Sequence, residues 1–259
     1  MRLSPRLRSR LQVWSLRATR QIALRLGNEF PFYYVSEYPK SGGTWVAQML
    51  ADYLQVPFPQ HYCLPIAHEA VLHNHWRYDP RLAPRTVHVM RDGRDACVSA
   101  FYHLRRVGRD PGEFGPDFID WWATHPMGGA GVTWGQYCRE WAEGCYSHKE
   151  TRYETLSSIY LLDEIALAIE NVTGGRRACT SNLKATIGKY DFAKQTRGRL
   201  RGTEDASSPL RKGIVGDWRN HFDDECVRRF KRHFGEDLIV LGYENDIDWP
   251  HPGPIGGSE

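Results

Sequence analysis

The sequence predicts a single α/β domain, a central parallel sheet flanked by helices. Three observations support this. Short β-rich runs alternate with longer helical ones from Pro31 onward. A strand, a glycine-containing turn and a helix follow one another twice. The 259 residues, 41% hydrophobic and 12% aromatic with nine Trp, are enough for one large core and too apolar for a disordered chain.

The elements follow from local patterns. Residues 4–26 read as a helix: Ser4 suits an N-cap, Pro5 the first helical position, and Gly27 with Asn28 a stop. Leu7, Leu11, Trp14, Ala18, Ile22 and Leu26 draw one apolar stripe flanked by arginines. Three readings fit this arm: a helix docked on the body by its stripe, a basic amphipathic helix on an anionic membrane, or an organelle transit peptide. We divide the chain into this arm, residues 1–29, and a domain of residues 30–259.

Strands are expected at Phe32 to Glu37, Ala70 to His75 and Thr86 to Arg91, with helices through Leu54 and about Arg105. Residues 107–132 read as a loop with a short helix, a lid or pocket wall. Helices are expected at 133–148 and 155–172, with a short strand near Arg152 between them. Residues 194–216 read as a mobile loop. A helix over Asp223 to Phe234 precedes the run Leu238 to Leu241.

Composition excludes several classes. No apolar run reaches the 18 to 20 or so residues of a membrane span; Asp163 and Glu164 break the longest. Six scattered cysteines, no C-x-x-C pair and no apolar signal region suit reduced thiols in the cytoplasm. The net charge of +3 conceals seven arginines in residues 1–30 against Glu29 alone, which leaves the rest of the chain net acidic. A nucleic-acid binder would carry its positive charge on the folded body, so no nucleic-acid partner is expected.

Three basic elements carry chemistry. In Tyr38-Pro39-Lys40-Ser41-Gly42-Gly43-Thr44-Trp45 a strand-to-helix turn points backbone N–H groups at an anion beside a lysine. It is P-loop-like but not the kinase type, whose lysine follows the second glycine, so a nucleotide kinase is excluded. Arg91 stands at a strand end with Ser99 two helical turns on, an arrangement able to grip a second phosphate. Arg211-Lys212-Gly213 adds two cations beside a glycine that lets backbone approach a ligand. Each alone also reads as an ordinary turn or a solvated charge cluster.

Together, in this order, the three resemble the cytosolic-type sulfotransferase family over about residues 30–235. The resemblance implies that residues 40–45, Lys40, Ser41, Gly42, Gly43, Thr44 and Trp45, hold the 5′-phosphosulfate end of the donor 3′-phosphoadenosine 5′-phosphosulfate (PAPS), with Trp45 stacked on its adenine. It implies that Arg91, Ser99, Arg211, Lys212 and Gly213 bind the 3′-phosphate, and that Tyr153 contacts adenine. Arg211-Lys212-Gly213 with Gly216-Asp217-Trp218 is similar to the family's R-K-G-x-x-G-D-W signature. The family's base is a histidine in K-T-H; here Val71-Leu72-His73-Asn74-His75 puts His75 in that place and His73 in the lysine's, both facing one side of the strand. The implied catalytic set is His75, Lys40 and His73. Gly43 stands where many members carry a hydroxyl residue, and Tyr190-Asp191-Phe192 matches the family's adenine contact loosely.

The expected activity is PAPS-dependent transfer of a sulfuryl group to a hydroxyl or amine, releasing 3′-phosphoadenosine 5′-phosphate (PAP), with no metal. His68, His73 and His75 could instead hold a metal ion, but only Glu69 and Cys63 lie near at ligand spacing. The acceptor is a small molecule or a lipid or glycolipid, with Tyr62, Phe101, Tyr102, Phe118, Trp121 and Trp122 as candidate walls. Peripheral membrane contact through residues 4–26 would favour a lipid. A second class is a degenerate, inactive adaptor that binds an anionic membrane or nucleic acid through its basic helix.

Overall fold

The computed structural model describes residues 4–26, 32–59, 69–144, 150–176 and 178–249. Four parallel strands, β1 (Phe32–Glu37), β2 (Ala70–Asn74), β3 (Thr86–Met90) and β4 (Thr151–Arg152), form one sheet in the order β2-β1-β3-β4. Because all strands run the same way, their carboxyl ends share an edge. That edge carries Glu37 to Lys40, His73 to His75, Arg91 and Tyr153, and ligands bind at such edges in open α/β sheets.

The strands are apolar on both faces, as a parallel sheet covered by helices requires. On one face Val35, Val71, Val87 and Val89 pack against α2 (Gly43–Leu54), α7 (Leu161–Val172) and α8 (Thr180–Lys189) through Met49, Leu50, Ile165, Ile169 and Leu183. The larger core joins Met90 to α3 (Gly93–Arg106), α4 (Pro116–Thr124), α5 (Trp134–Gly144) and α10 (Asp224–Val240) through Trp122, Trp134, Trp141, Phe230 and Phe234. The expected fold class is observed.

Four local expectations are corrected. Residues 155–172 are not one helix: α6 (Tyr153–Leu156) ends before α7 starts, with Ser158 Oγ turning back to the Thr155 carbonyl at 2.6 Å. The run through Leu241 continues α10, whose buried Leu238 extends the stripe of Phe230 and Phe234 at spacings of four. Segment 194–216 opens with α9 (Phe192–Gln195) and is tied down, with Arg199 bonding the carbonyls of Thr203, Leu210 and Arg211. Of the candidate walls, Phe101 and Trp122 are buried in the core, whereas Phe118 and Trp121 border a cleft.

The arm α1 (Pro5–Leu26) is a helix, with Ser4 Oγ accepting the Leu7 N–H at 3.3 Å, but it docks by a face about a quarter turn from the expected stripe. Ser15, Thr19 and Ala23, four residues apart, are buried; Ala23 lies with Phe32, Tyr34 and Leu82. Leu7, Leu11, Trp14 (64%), Ile22 and Leu26 are exposed. Small side chains let the helix approach the sheet closely, which the bulky stripe would prevent. Gly27 and Asn28 lie outside the described residues.

Candidate functional site

The loop between β1 and α2 is shaped by two unusual backbone positions. Lys40 has a φ of 82°, uncommon for a side chain with a Cβ, and Arg91 Nη1 donates to its carbonyl at 3.1 Å. Gly42 has a φ of 96° and lies against the Tyr153 ring, which a Cβ there would approach to 2.7 Å. Burial, with the charges of Arg106 and Arg91, lowers the Lys40 pKa against the opposing pull of Glu37. Burial and the charges of Lys40, Arg106 and Arg109 push His103 down to about 4. The loop and the last turn of α3 therefore share a field that favours an anion.

Strand alternation puts Glu37 on the same face as Val35, which pairs with His73 in register. The buried Glu37 carboxylate meets His73 Nε2 at 2.9 Å through Oε1 and accepts the Gly43 N–H at 2.5 Å through Oε2. Burial alone would raise the Glu37 pKa; the hydrogen bond from His73, the charges of both histidines and the Gly43 amide outweigh it and lower it. His75 Nδ1 is 2.9 Å from the Glu37 main-chain oxygen. A carbonyl only accepts, so Nδ1 carries the proton and, in the neutral ring, Nε2 keeps the lone pair.

Arg91 lies over the Tyr153 ring at 4.2 Å and 3.6 Å from Asp95. Asp95 also accepts the N–H groups of Gly216 at 2.7 Å and Trp218 at 3.0 Å, fastening segment 211–218 to α3. Ser99 sits one turn beyond Asp95 on the same helical face. Asp217 binds Lys212 Nζ at 2.7 Å, Asn220 at 2.9 Å and Arg211, which also reaches Glu204 at 2.9 Å. Trp45 Nε1 donates to the Tyr190 carbonyl at 3.0 Å, and Arg201 lies 6.0 Å from the Trp45 ring and 5.4 Å from that of Phe192. Arg201 also donates to the Gly213 carbonyl at 2.6 Å, so Trp45, Tyr190, Phe192, Arg201 and Gly213 form one wall.

Comparison with known proteins now adds to this geometry. A family described as a sulfotransferase domain matches residues 181–242. The chain is 24% identical to Sulfotransferase 1A1 of Rattus norvegicus, covering 81% of this chain and 85% of that protein. It is 23% identical to Sulfotransferase 1A1 of Bos taurus over 79% and 82%. Mouse sulfotransferase SULT7A1, solved complexed with PAP, superposes with a TM-score of 0.64 at 18% identity, covering 85% of this chain and 92% of that one. Retinol dehydratase, solved with androsterone and inactive cofactor PAP, gives 0.63 at 15% identity over 86% and 83%. The chain has the sulfotransferase fold. The resemblance read from residues 38–45, 91–99 and 211–218 is thereby borne out.

On this sulfotransferase framework the strand ends and loops bring Lys40, Ser41, Gly42, Gly43, His73, His75, Arg91 and Tyr153 to one edge, and Asp95 draws 211–218 to it. Thr44 is exposed on the first turn of α2. Arg211 and Lys212 point their charges at Asp217, so an incoming anion must share them. Sequence reasoning missed Glu37, Asp95 and Arg201, and matched Tyr190-Asp191-Phe192 only loosely to an adenine contact. The available signals were strand parity for Glu37 and the i,i+4 relation of Arg91 to Asp95.

A divalent cation could use Glu37, His73 and His75, whose ligand atoms lie within 4.8 Å of one another. The carboxylate beside the histidines is thus Glu37 and not the exposed Glu69; His68, Cys63 and Tyr62 lie outside the described residues. Both Glu37 oxygens are engaged by His73 and Gly43, and Lys40 lies within its field, so the set is better suited to its internal bonds than to a cation. A cleft of about 710 Å³ opens between the end of α3 and α4, lined by Leu104, Arg109, Phe114, Phe118 and Trp121.

Proposed function

We propose that this protein is a PAPS-dependent sulfotransferase that moves a sulfuryl group to a hydroxyl or amine of an acceptor by in-line attack, with His75 as general base, and releases PAP. The observation that carries the reading is the convergence at one sheet edge of the Lys40 loop, a histidine of fixed tautomer, and Arg91 with segment 211–218. The residues fit a phosphorylated ligand. Ser41 Oγ and Arg91 Nε are buried without hydrogen-bond partners among the described residues, beside a loop that a Cβ at Gly42 would fill. Three solved neighbours contain PAP.

PAPS, when bound, supplies a sulfuryl group carried on a phosphate leaving group. His75 Nε2 takes the acceptor's proton as the oxygen–sulfur bond forms, a contribution on the order of 100- to 10,000-fold. Lys40 offsets the charge that grows on the bridging oxygen as its bond to sulfur breaks, and His73 faces the same reacting group. Ser41, Gly42, Gly43 and Thr44 orient the phosphosulfate end. Arg91, Ser99, Arg211, Lys212 and Gly213 hold the 3′-phosphate, and Trp45 and Tyr153 flank adenine. Lys40 and the arginines supply the countercharge, so the mechanism invokes no metal.

The acceptor we propose is an apolar molecule bearing a hydroxyl, a small molecule or a lipid, as the androsterone and retinol of the solved neighbours suggest by analogy. We place residues 30–259 as the transferase domain, in the cytoplasm, and residues 1–29 as an arm. The exposed stripe of Leu7, Leu11 and Trp14 on a helix with arginines and no acidic residue favours contact with an anionic membrane surface. No helix among the described residues is long and apolar enough to cross a membrane.

A thermal-shift titration tests the reading. PAP at about 100 times its dissociation constant should stabilise the fold by about 2.7 kcal/mol, and ATP or 5′-AMP should not match it. His75→Ala should abolish transfer from labelled PAPS and leave PAP binding within about twofold, since the base contributes to the reacting step. No stabilisation by PAP sinks the reading and leaves the adaptor.

A further inference from the structure

Two departures from the sulfotransferase resemblance fall on one spot. His73 stands where the family carries lysine, Gly43 where many members carry a hydroxyl residue, and Glu37 reaches both. A Cβ on Gly43 would lie 2.8 Å from Glu37 Cδ and 3.0 Å from His73 Nε2, closer than side-chain carbons normally come. The glycine is therefore the space that admits the carboxylate, and the three residues form one unit.

We propose that Glu37 is the positioning residue of this site: its carboxylate fixes His73, its main-chain carbonyl fixes His75, and Gly43 makes room for it. This rests on the reading of His75 as the base. The carboxylate is acceptor only, since Gly43 N–H donates to Oε2 and His73 Nε2 faces Oε1 at 2.9 Å. His73 Nε2 therefore carries a proton. The His73 ring meets the His75 ring edge to face at 5.1 Å, so holding the first restrains the second from the side. The Glu37 carbonyl holds His75 from behind and leaves Nε2 toward the acceptor. One buried residue thereby sets both tautomers and the placement of the base, as a carboxylate sets a catalytic histidine elsewhere.

The test is Glu37→Gln. The Gly43 N–H must still meet an oxygen, so the new amide turns its NH2 toward His73, whose Nε2 must then accept and whose proton moves to Nδ1. Nitrogen-15 NMR of the two rings, in buffer alkaline enough to keep them neutral, should show His73 changing from Nε2–H to Nδ1–H and His75 unchanged at Nδ1–H. In parallel kcat should fall about 100-fold, with the PAP midpoint within about twofold. Gly43→Ala should disturb the His73 signal from the other side, and Glu37→Ala should remove most of that effect in the double variant.

A His73 tautomer identical in wild type and Glu37→Gln overturns the proposal, as does an unchanged kcat. The NMR comparison needs no acceptor. Wild-type protein that transfers nothing therefore counts against the proposed function alone, and the ring signals still decide Glu37.

Discussion

The cradle at the sheet edge and the arm α1 are built on opposite terms. In the cradle, distant segments are joined by charged hydrogen bonds: Asp95 on α3 holds the backbone of Gly216 and Trp218, and Glu154 on α6 holds the Asp92 N–H at 2.9 Å. The arm meets the sheet through Ser15, Thr19 and Ala23 and leaves its large apolar side chains outside. Directional bonds of this kind need named residues at fixed places, so the cradle shows in sequence as motifs. Packing by small side chains needs only that nothing large intrude, and it leaves no motif at all.

The sharpest way to break that contrast is to remove the staple. Asp95 is 1% exposed and faces two amides and Arg91. Asp95→Ala orphans both N–H groups and leaves a buried guanidinium short of its counter-charge, at a cost of about 3 to 5 kcal/mol. Urea unfolding should show the free energy of unfolding fall by that amount. A loss under about 1 kcal/mol would mean that segment 211–218 is held by Asp217 and its partners instead.

Glu154 sharpens the comparison through pH. Burial, with the charge of Asp92, raises its pKa from 4.5 to about 7 against the bond from the Asp92 N–H and the pull of Arg91. Between those values the folded state holds a proton that the unfolded chain has released. Its contribution is thus fully present below about 4.5 and is lost as pH rises through about 7, a fall of about 3 kcal/mol. The difference in stability between wild type and Glu154→Gln, followed from pH 4 to 8 or so, should show that slope. A flat difference would place a water or cation on the unpartnered Oε2.

Much of this was legible in the sequence, for reasons that particular residues make plain. The strand Phe32–Glu37 and the turn after it are local: β-rich residues, then Lys40 and two glycines, fix strand, loop and helix start without help from elsewhere. Arg91 and Arg211-Lys212-Gly213 were legible as cations at element ends. Glu37 was not, because it acts only when β2 sets His73 beside it, and strand pairing is not written in either strand. The split at Ser158 rests on a local bond from its hydroxyl to the Thr155 carbonyl, which propensity alone does not reveal, and the continuation of α10 through Leu238 was settled by tertiary packing. On α1 the periodicity gives the stripe, but of the readings it allowed, docking by that stripe is the one the structure does not show. Hydrophobic spacing identifies a stripe, but what covers it depends on the partner surface, here the close approach of Ala23 to Phe32 and Tyr34.

That difference makes the last and smallest prediction the most discriminating. Ala23 is fully buried, so Ala23→Leu overfills the contact with the sheet and should cost about 1 to 3 kcal/mol. Trp14 is 64% exposed, and Trp14→Ala should change stability by no more than about 0.5 kcal/mol although it removes the larger side chain. Urea midpoints of the two variants, measured side by side, separate the faces. The opposite ranking would restore the docked stripe, whereas the predicted ranking leaves Trp14 available to a surface outside the molecule. Sedimentation with vesicles of anionic lipid should then show Trp14→Ala losing binding that Ala23→Leu retains, because an apolar side chain that is not needed for folding contributes where it is buried, in the lipid interface.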